Sequence, residues 1–350
     1  MPEVSSVIRN VDECGYSFKN GSYDGAAGDK DGLIIDGANW LVKYPKNIGN
    51  LERTGGASYS TSPLSEYIGS HIFDILGFPV HETMLVERRL KIAVACKDFE
   101  GIDERLTEIR TIKNHDNEKL GEELGIEFHA TGSSHVVDLN ELLLHLRNND
   151  AFLNVPNIED RFWEQAVVDV FINNNDRNNG NWGIIKSNNG ADRLAPVFDN
   201  GGCLQTKISE EKITNMLLNP VLTKKNACNT QTAYGENGHA YSTQKFMDFW
   251  DKEPGLAKAI KKVVPLIKDK KEKIFEFING IDEKHILKNG QEVYVCSKNR
   301  KDLYILQLQT RYNNLLLPYY EKVLNQSKLL NEGIENSEQK DIHRNLRRGR

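Results

Sequence analysis

Residues 173–183 carry the densest cluster of polar side chains in the chain and read Asn-Asn-Asn-Asp-Arg-Asn-Asn-Gly-Asn-Trp-Gly. They follow residues 158–174, whose apolar side chains recur every four positions and predict a helix. Short amide side chains compete for backbone hydrogen bonds and end helices, so a solvated turn explains the cluster by itself. The spacing of Asp176 and Asn181 favours another interpretation, because Asp-x-x-x-x-Asn is typical of phosphoryl-transfer loops. In such loops the carboxylate orients an incoming hydroxyl and the amide oxygen binds Mg²⁺.

A magnesium ion held by one amide would be weakly bound, so a second hard oxygen ligand is expected downstream. Residues 194–202 read Leu-Ala-Pro-Val-Phe-Asp-Asn-Gly-Gly, in which an apolar strand delivers Asp199 to a glycine-bearing turn. An Asp in a hairpin turn explains this segment taken alone. Asp176, Asn181 and Asp199 in this order, with a predicted strand pair between the last two, favour a metal-assisted site instead.

The N-terminal part contains one lysine in an apolar strand. Lys43 lies in residues 40–45, Trp-Leu-Val-Lys-Tyr-Pro, and an unpaired buried cation is costly, so it must reach solvent or be paired. Glu66, near the start of a predicted helix, is the natural partner. A strand Lys paired with a helix Glu clamps the α- and β-phosphates in kinases, and a surface salt bridge is the alternative interpretation.

Two further segments are candidates for nucleotide contact. Gly25 and Gly28 would let backbone N–H groups approach phosphates closely, although their spacing is not Gly-x-Gly-x-x-Gly. Lys30 adds a cation to this loop or is a solvated turn residue. Residues 93–99, Ala-Val-Ala-Cys-Lys-Asp-Phe, form an apolar strand that ends where the two halves of the chain meet. This strand would offer an adenine ring backbone groups and an apolar floor, and an ordinary linker strand is equally compatible.

The two halves differ in their predicted secondary structure. The first 100 residues predict strand, strand, helix, strand and strand, beginning with a hairpin that turns at Asp36-Gly37. Residues 98–135 are charged and weakly patterned and are interpreted as a linker with irregular insertions. Helices dominate after residue 137, and Asp138 is expected to cap the first of them. The predicted strands are 32–35, 39–44, 83–87, 91–96, 182–185 and 194–198. The predicted helices are 64–76, 139–146, 158–174, 210–218, 243–250, 256–279 and 300–324. A kink or break is expected at Pro265, inside the helix 256–279.

This organisation predicts two lobes and a tail. We expect an N-lobe at residues 1–99 that binds nucleotide, a C-lobe at residues 100–325 that carries the catalytic loop, and a disordered tail at residues 326–350. Residues 205–239 are predicted to be mostly loop around the helix 210–218.

Length and composition exclude several classes of protein. The chain has 350 residues, 45 of them basic and 50 acidic, which gives a net charge of −5. A hydrophobic fraction of 39% and a charged fraction of 27% predict a folded, water-soluble protein rather than a disordered or fibrous one. No apolar run approaches the ~18 residues of a membrane helix, and the near-neutral charge makes nucleic acid an unlikely main partner.

The cysteines favour a reducing compartment. The chain has five, an odd number, and none lies in a Cys-x-x-Cys pair. This pattern predicts reduced thiols and no zinc site. The predicted localisation is therefore cytoplasmic, and export as an effector is left open.

Taken in order, these segments resemble the HipA-like serine/threonine kinases, most closely the short CtkA-type members. The resemblance implies an α+β, bilobal, protein-kinase-like fold with a β-rich N-lobe, an all-helical C-lobe, and ATP with Mg²⁺ in the cleft. The segments that carry it are residues 40–45, 65–94, 94–99, 171–183 and 195–202. The roles that it implies are catalytic for Asp176, metal-binding for Asn181 and Asp199, phosphate-contacting for Lys43, and hinge for Lys97, Asp98 and Phe99.

The predicted function is transfer of the γ-phosphate of ATP to Ser/Thr hydroxyls of a protein substrate. Ser22 is the candidate autophosphorylation site, and an antitoxin or inhibitor protein is a candidate partner. Asn178 departs from the family, in which many members have His two residues after the catalytic Asp.

Two other functions stay open. A small-molecule or phosphoinositide-type lipid kinase is one, because residues 176–181 are similar to the Asp-Arg-His-x-x-Asn loop of those enzymes. A non-catalytic toxin or effector scaffold that binds ATP is the other.

Overall fold

The computed structural model describes residues 8–20, 30–49, 60–132 and 136–329. The strands are β1 (Arg9–Asn10), β2 (Lys30–Ile35), β3 (Ala38–Lys43), β4 (Thr83–Arg88), β5 (Lys91–Lys97), β6 (Glu104–Glu108), β7 (Val137–Asp138), β8 (Gly183–Ser187), β9 (Arg193–Leu194), β10 (Gln231–Glu236), β11 (His239–Ser242), β12 (Lys284–Ile286) and β13 (Glu292–Tyr294). The helices are α1 (Ser62–Ile75), α2 (Ile109–Leu124), α3 (Leu139–Asn148), α4 (Asp150–Leu153), α5 (Ile158–Ile172), α6 (Glu210–Leu218), α7 (Pro220–Cys228), α8 (Thr243–Met247), α9 (Pro254–Gly280) and α10 (Lys298–Arg311).

The N-terminal strands form one five-stranded sheet in the order β1-β4-β5-β3-β2. The predicted hairpin is confirmed, since β2 and β3 pair antiparallel around Asp36 and Gly37, both of which have positive φ. Positive φ at both turn residues matches the right-handed twist of the strands, which explains the Asp-Gly sequence. In the register of this sheet Lys43 lies opposite Lys30 on one side and Val94 on the other.

Helix α1 packs against β4 and β5. Pro63 lies in its first turn, and Gly77 follows its end with φ +85°. Its buried residues are not confined to one apolar stripe, because Ser65, Glu66 and Ser70 are buried together with the apolar residues. The segment that follows Asp199 covers the polar side of α1. Asn200 in this segment donates hydrogen bonds to Glu66 and Ser70 of the helix, so the Glu66 carboxylate lies close to Asp199.

The C-terminal part is mainly helical and also carries three small sheets, so its description as all-helical is corrected. Their strand orders are β6-β8-β9, β7-β10-β11 and β12-β13. Residues 98–135 contain β6 and α2 rather than an irregular linker. Strand β6 pairs antiparallel with β8, so the segment is ordered by a distant partner, and Leu106 for example lies opposite Ile185, 79 residues further along the chain. Residues 219–239 likewise form α7 and β10 rather than loop.

The longest helices form the centre of this part. Helix α9 packs along α5 and continues through Pro265 without the predicted break. One apolar cluster runs from α1 through α5 and α9 to the last helix. The final helical run reaches residue 329, so residues 326–329 are helical, and the rest of the predicted tail lies outside the described residues.

Candidate active site

The polar cluster of residues 173–183 forms a loop that begins where α5 ends. Asn173 takes a left-handed conformation (φ 55°) and closes the helix. Asn174 then donates through Nδ2 to Asp169 Oδ1 at 3.1 Å and accepts the backbone N–H of Asp176 at 3.2 Å. The amides therefore end the helix, as expected, and also hold the next turn in a fixed conformation that presents the carboxylate of Asp176.

A buried arginine joins this loop to the segment that carries Asp199. The Arg177 guanidinium is 1% exposed and donates to Asp169 Oδ2 at 2.9 Å. Its Nη1 also donates to the backbone carbonyls of Asn181 at 2.8 Å, of Phe198, and of Asp199 at 3.4 Å. The Arg177 side chain thus bonds to the backbone at both Asn181 and Asp199 and holds these two residues together, although they are 18 positions apart in the sequence.

The lysine of β3 faces both Glu66 and Asp199. Lys43 Nζ lies 3.0 Å from Glu66 Oε2 and 3.0 Å from Asp199 Oδ1. The predicted strand Lys and helix Glu pair is therefore present, and Asp199 extends it towards the loop that carries Asp176. Glu66 is buried while the Asp199 side chain is 39% exposed, so the open side of this group is at Asp199.

Charge and burial act in opposite directions on these groups. Burial by itself would lower the pKa of Lys43, but the carboxylates of Asp199 and Glu66 outweigh it and hold that pKa well above its usual value. Burial would raise the pKa of Glu66, and Lys43 and His81 instead hold it far below its usual range. The pKa of Asp176 is raised, first because the surrounding protein displaces water and second because of the charge on Asp199.

The donor set fits a magnesium ion. Asp199 offers a carboxylate and Asn181 an amide oxygen, both hard ligands of the kind Mg²⁺ prefers. Asn181 donates through Nδ2 to the backbone carbonyl of Asp176. In the described part of the chain its Oδ1 has no hydrogen-bond donor, which leaves that oxygen for a ligand.

A second group of potential ligands does not fit magnesium. Glu66, His81 and Cys96 place one ligand atom each within 4.8 Å of one another, and all three residues are buried. Both oxygens of Glu66 already accept hydrogen bonds. A thiol is also a soft ligand, which Mg²⁺ avoids.

The predicted hinge connects the sheet to the segment before Asp199. The backbone N–H groups of Lys97 and Asp98 donate to the carbonyls of Glu82 and Asn39, both at 2.9 Å. The ring of Phe99 lies 5.7 Å from that of Phe198, the residue before Asp199. These contacts place the end of β5 next to the segment that carries Asp199.

The remaining nucleotide-site candidates divide into two groups. Lys30 pairs with Lys43 across β2 and β3, so it lies at the same end of the sheet as the site. Gly25, Gly28 and Ser22 lie outside the described residues.

Sequence reasoning missed four residues that the site uses: Ser70, His81, Arg177 and Asn200. All are at most 5% exposed and hydrogen-bonded to site residues or to one another. The one available signal was polarity, since Ser70 lies in an apolar helix and Arg177 lies beside Asp176. No spacing rule links them, because their contacts join separate segments of the chain, up to 134 residues apart for Asn200 and Glu66.

Comparison with known proteins identifies relatives of this chain. No protein-family model matches it. Over 207 residues it is 31% identical to serine/threonine-protein kinase CtkA of Helicobacter pylori, and this stretch covers 59% of this chain and 59% of the relative. The chain thus matches about three fifths of the length of that curated relative.

Solved structures show the fold. The crystal structure of a Helicobacter pylori proinflammatory kinase, CtkA, covers 91% of this chain and 99% of its own, with 23% identity and a TM-score of 0.73. A HipA structure from Shewanella oneidensis, solved with HipB and operator DNA, covers 86% of this chain and 68% of its own at 14% identity, and its TM-score of 0.49 supports no inference. The predicted resemblance to the CtkA-type kinases and the α+β kinase-like fold are confirmed.

Proposed function

We propose that this chain, a homologue of CtkA with the CtkA fold, is a serine/threonine protein kinase that uses ATP and Mg²⁺. The observation that carries the proposal is the position of Lys43, 3.0 Å from both Glu66 and Asp199. Protein kinases have a Lys–Glu pair beside a metal-binding Asp, and the likeness of this arrangement to theirs supports the proposal. The serine/threonine specificity comes from the name of the relative and is part of the proposal.

Each site residue has a defined role in this proposal. Asp176 would accept a hydrogen bond from the substrate hydroxyl, align its oxygen and take its proton late in the transfer. Lys43, held by Glu66, would neutralise the α- and β-phosphate oxygens. Asn181 and Asp199 would hold Mg²⁺, which when bound supplies positive charge to the β- and γ-phosphates. Catalysis of this kind consists of positioning and charge stabilisation.

The hydrogen bonds of the hinge limit which backbone N–H group could donate to adenine. The N–H groups of Lys97 and Asp98 are already used within the protein. We therefore assign the N–H of Phe99 as the hinge donor to the adenine ring, with the Phe99 and Phe198 side chains as its apolar neighbours.

The direct test is transfer of ³²P from γ-labelled ATP by wild type and by Asp176→Asn. The substituted amide cannot accept a proton, so transfer should fall at least a hundredfold. Nucleotide binding, measured by titration, should persist. Full transfer by Asp176→Asn would remove the assignment.

The acceptor is tested by offering casein-like proteins, inositol lipids and aminoglycosides in parallel. Labelling of Ser and Thr in protein alone supports the proposal, whereas labelling of lipid or aminoglycoside replaces it with the corresponding kinase. Nucleotide binding without ADP release supports the scaffold function instead.

Mass spectrometry of the chain after incubation with ATP tests Ser22 as an autophosphorylation site. An antitoxin-like inhibitor stays a proposal from the family resemblance.

A further inference from the structure

The Glu66 carboxylate contacts residues from three other segments of the chain. Its Oε2 accepts the Lys43 ammonium at 3.0 Å. Its Oε1 accepts the backbone N–H of Asn200 at 3.0 Å and contacts His81 Nε2 at 3.0 Å. Rotation of this carboxylate would break all three contacts, so its position depends on all three segments.

A serine hydroxyl closes this arrangement into a ring. Asn200 donates through Nδ2 to Ser70 Oγ at 2.9 Å, and Ser70 Oγ lies 3.1 Å from His81 Nε2. Ser70 lies one helical turn after Glu66 on α1, so both face the same way. The ring joins α1, the segment before β4 and the residue after Asp199.

The ring continues into the catalytic loop. Asn200 Oδ1 accepts a hydrogen bond from Arg177 Nη2, and Arg177 is paired with Asp169. Asn200 is fully buried, so its amide has no water to exchange these partners with. Unbroken hydrogen bonds thus connect the loop that carries Asp176 with the lysine of β3.

The hydrogen-bond pattern also shows which nitrogen of the His81 ring carries a hydrogen. An ionised carboxylate only accepts hydrogen bonds. His81 must therefore carry a hydrogen on Nε2, which it directs at Glu66 Oε1 at 3.0 Å and shares with Ser70 Oγ at 3.1 Å. His81 is thus a hydrogen-bond donor to Glu66.

We propose that Ser70, His81 and Asn200 are positioning residues for phosphoryl transfer, which hold Glu66 and thereby Lys43 in register with Asp199. The inference rests on the proposed kinase function. Lys43 takes its place only while Asn200 lies against α1, so the ring couples the metal-binding segment to the phosphate-contacting lysine. None of the three touches substrate.

The test compares His81→Leu with His81→Gln in steady-state kinetics at varied ATP. Leu removes the donor to Glu66, and kcat/KM for ATP should fall about tenfold to a hundredfold, as expected for a hydrogen bond to a charged group. The side-chain amide of Gln supplies an N–H close to the position of Nε2 and should restore most of the loss. The KM for the protein acceptor should not change.

A double-variant cycle separates positioning from general folding effects. In a Glu66→Ala background, His81→Leu should cause less than a twofold further loss of kcat/KM, because the carboxylate that it positions is gone. Ser70→Ala covers the case in which His81→Leu does not fold. Alanine is favourable in a helix, so this variant should stay folded, with a melting temperature a few degrees lower because Asn200 Nδ2 loses its acceptor. Its kcat/KM should fall severalfold when it is assayed well below that temperature.

Three outcomes would overturn the inference. The first is a wild-type kcat/KM in both His81→Leu and Ser70→Ala. The second is that His81→Leu lowers kcat/KM by the same factor whether or not Glu66 is present. The third is that a folded His81→Gln has the low kcat/KM of His81→Leu. A wild-type chain that transfers no phosphate would instead contradict the proposed function, and this inference with it.

Discussion

At the scale of single residues, the backbone after Asp199 approaches the catalytic loop so closely that a side chain there would not fit. A Cβ at Gly202 would lie 2.7 Å from Asp176 Cβ and 2.9 Å from Asn174 Oδ1. Asp176 Cβ is fixed to the backbone, and Asn174 Oδ1 accepts the backbone N–H of Asp176 at 3.2 Å, so the loop would have to move. The position of Asp176 therefore depends on the absence of a side chain at residue 202.

Gly202→Ala should consequently reduce phosphate transfer more than stability. Displacement of a catalytic group by about 1 Å can cost on the order of a hundredfold in rate, and we expect at least a tenfold loss of kcat. The control is Gly280→Ala at the end of α9, where an added Cβ meets nothing within 4 Å. Equal transfer by the two variants would show that Gly202 does not constrain Asp176.

The sequence identified the residues that carry charge in the site and missed those that hold them. Lys43, Glu66 and Asp199 stand out because a charged side chain interrupts an apolar pattern or follows it directly. Asn200 and His81 have no such signal. Their importance comes from contacts across the fold, with Asn200 lying 134 positions from Glu66 along the chain.

At the scale of helices and strands, elements with their own periodicity were predictable and elements ordered by a partner were not. Helix α1 and the β2–β3 hairpin have regular apolar spacing and specific turn residues. Strand β6 is mixed in polarity and only half-buried, and it forms because β8 supplies its hydrogen bonds. Helix α2 is mostly polar on its surface and is held by contacts such as Lys113 with Glu141 on α3 at 2.8 Å.

A buried histidine on α3 makes stability depend on pH. His145 Nε2 lies 3.0 Å from Asn117 Oδ1, and Nδ1 lies 3.4 Å from Asn149 Nδ2, which suits the neutral ring with a hydrogen on Nε2. Burial, and then the nearby ammonium of Lys113, lower the pKa of His145 to about 4. The unfolded chain binds this proton near pH 6.5 and the folded chain only near pH 4.

The folded state should therefore lose stability as the pH falls from about 6.5 towards 4, by up to about 1.4 kcal/mol per pH unit from this residue. Above pH 6.5 both states carry a neutral ring and the contribution is constant. Urea unfolding of wild type and His145→Gln at several pH values measures it, and the variant should show the smaller slope. His239→Gln, at an exposed histidine, is the control, and parallel curves for wild type and His145→Gln would refute the prediction.

At the scale of the whole molecule, the two parts also contact each other away from the hinge and the site. Glu87 of β4 accepts the backbone N–H of Lys288 at 2.8 Å and contacts His285 Nε2 at 3.2 Å. The rings of His71 on α1 and Phe277 on α9 stack 4.7 Å apart. The division at residues 99 and 100 stays a proposal, and these contacts would limit movement between its two sides.

Glu87→Ala should release the β12–β13 hairpin from the sheet. Hydrogen exchange of residues 284–294 should become faster, because two buried contacts are lost. Glu292→Ala removes an exposed ion pair to Lys284 in the same hairpin and should have little effect. Unchanged exchange in Glu87→Ala would mean that the hairpin is held by other contacts.

Membrane association through a spanning helix finds no support in the described part of the chain, where no helix is both long and apolar enough to cross a bilayer.

We propose that Asn181 and Asp199 hold a divalent ion opposite Lys43. This metal site is tested most directly by a crystal structure with Mn²⁺ and a non-hydrolysable ATP analogue, in which anomalous scattering locates the metal. We predict the metal peak between Asn181 Oδ1 and the Asp199 carboxylate, with Lys43 Nζ on the phosphate oxygens. A peak at Glu66, His81 and Cys96, or a nucleotide bound away from Lys43, would contradict this metal site.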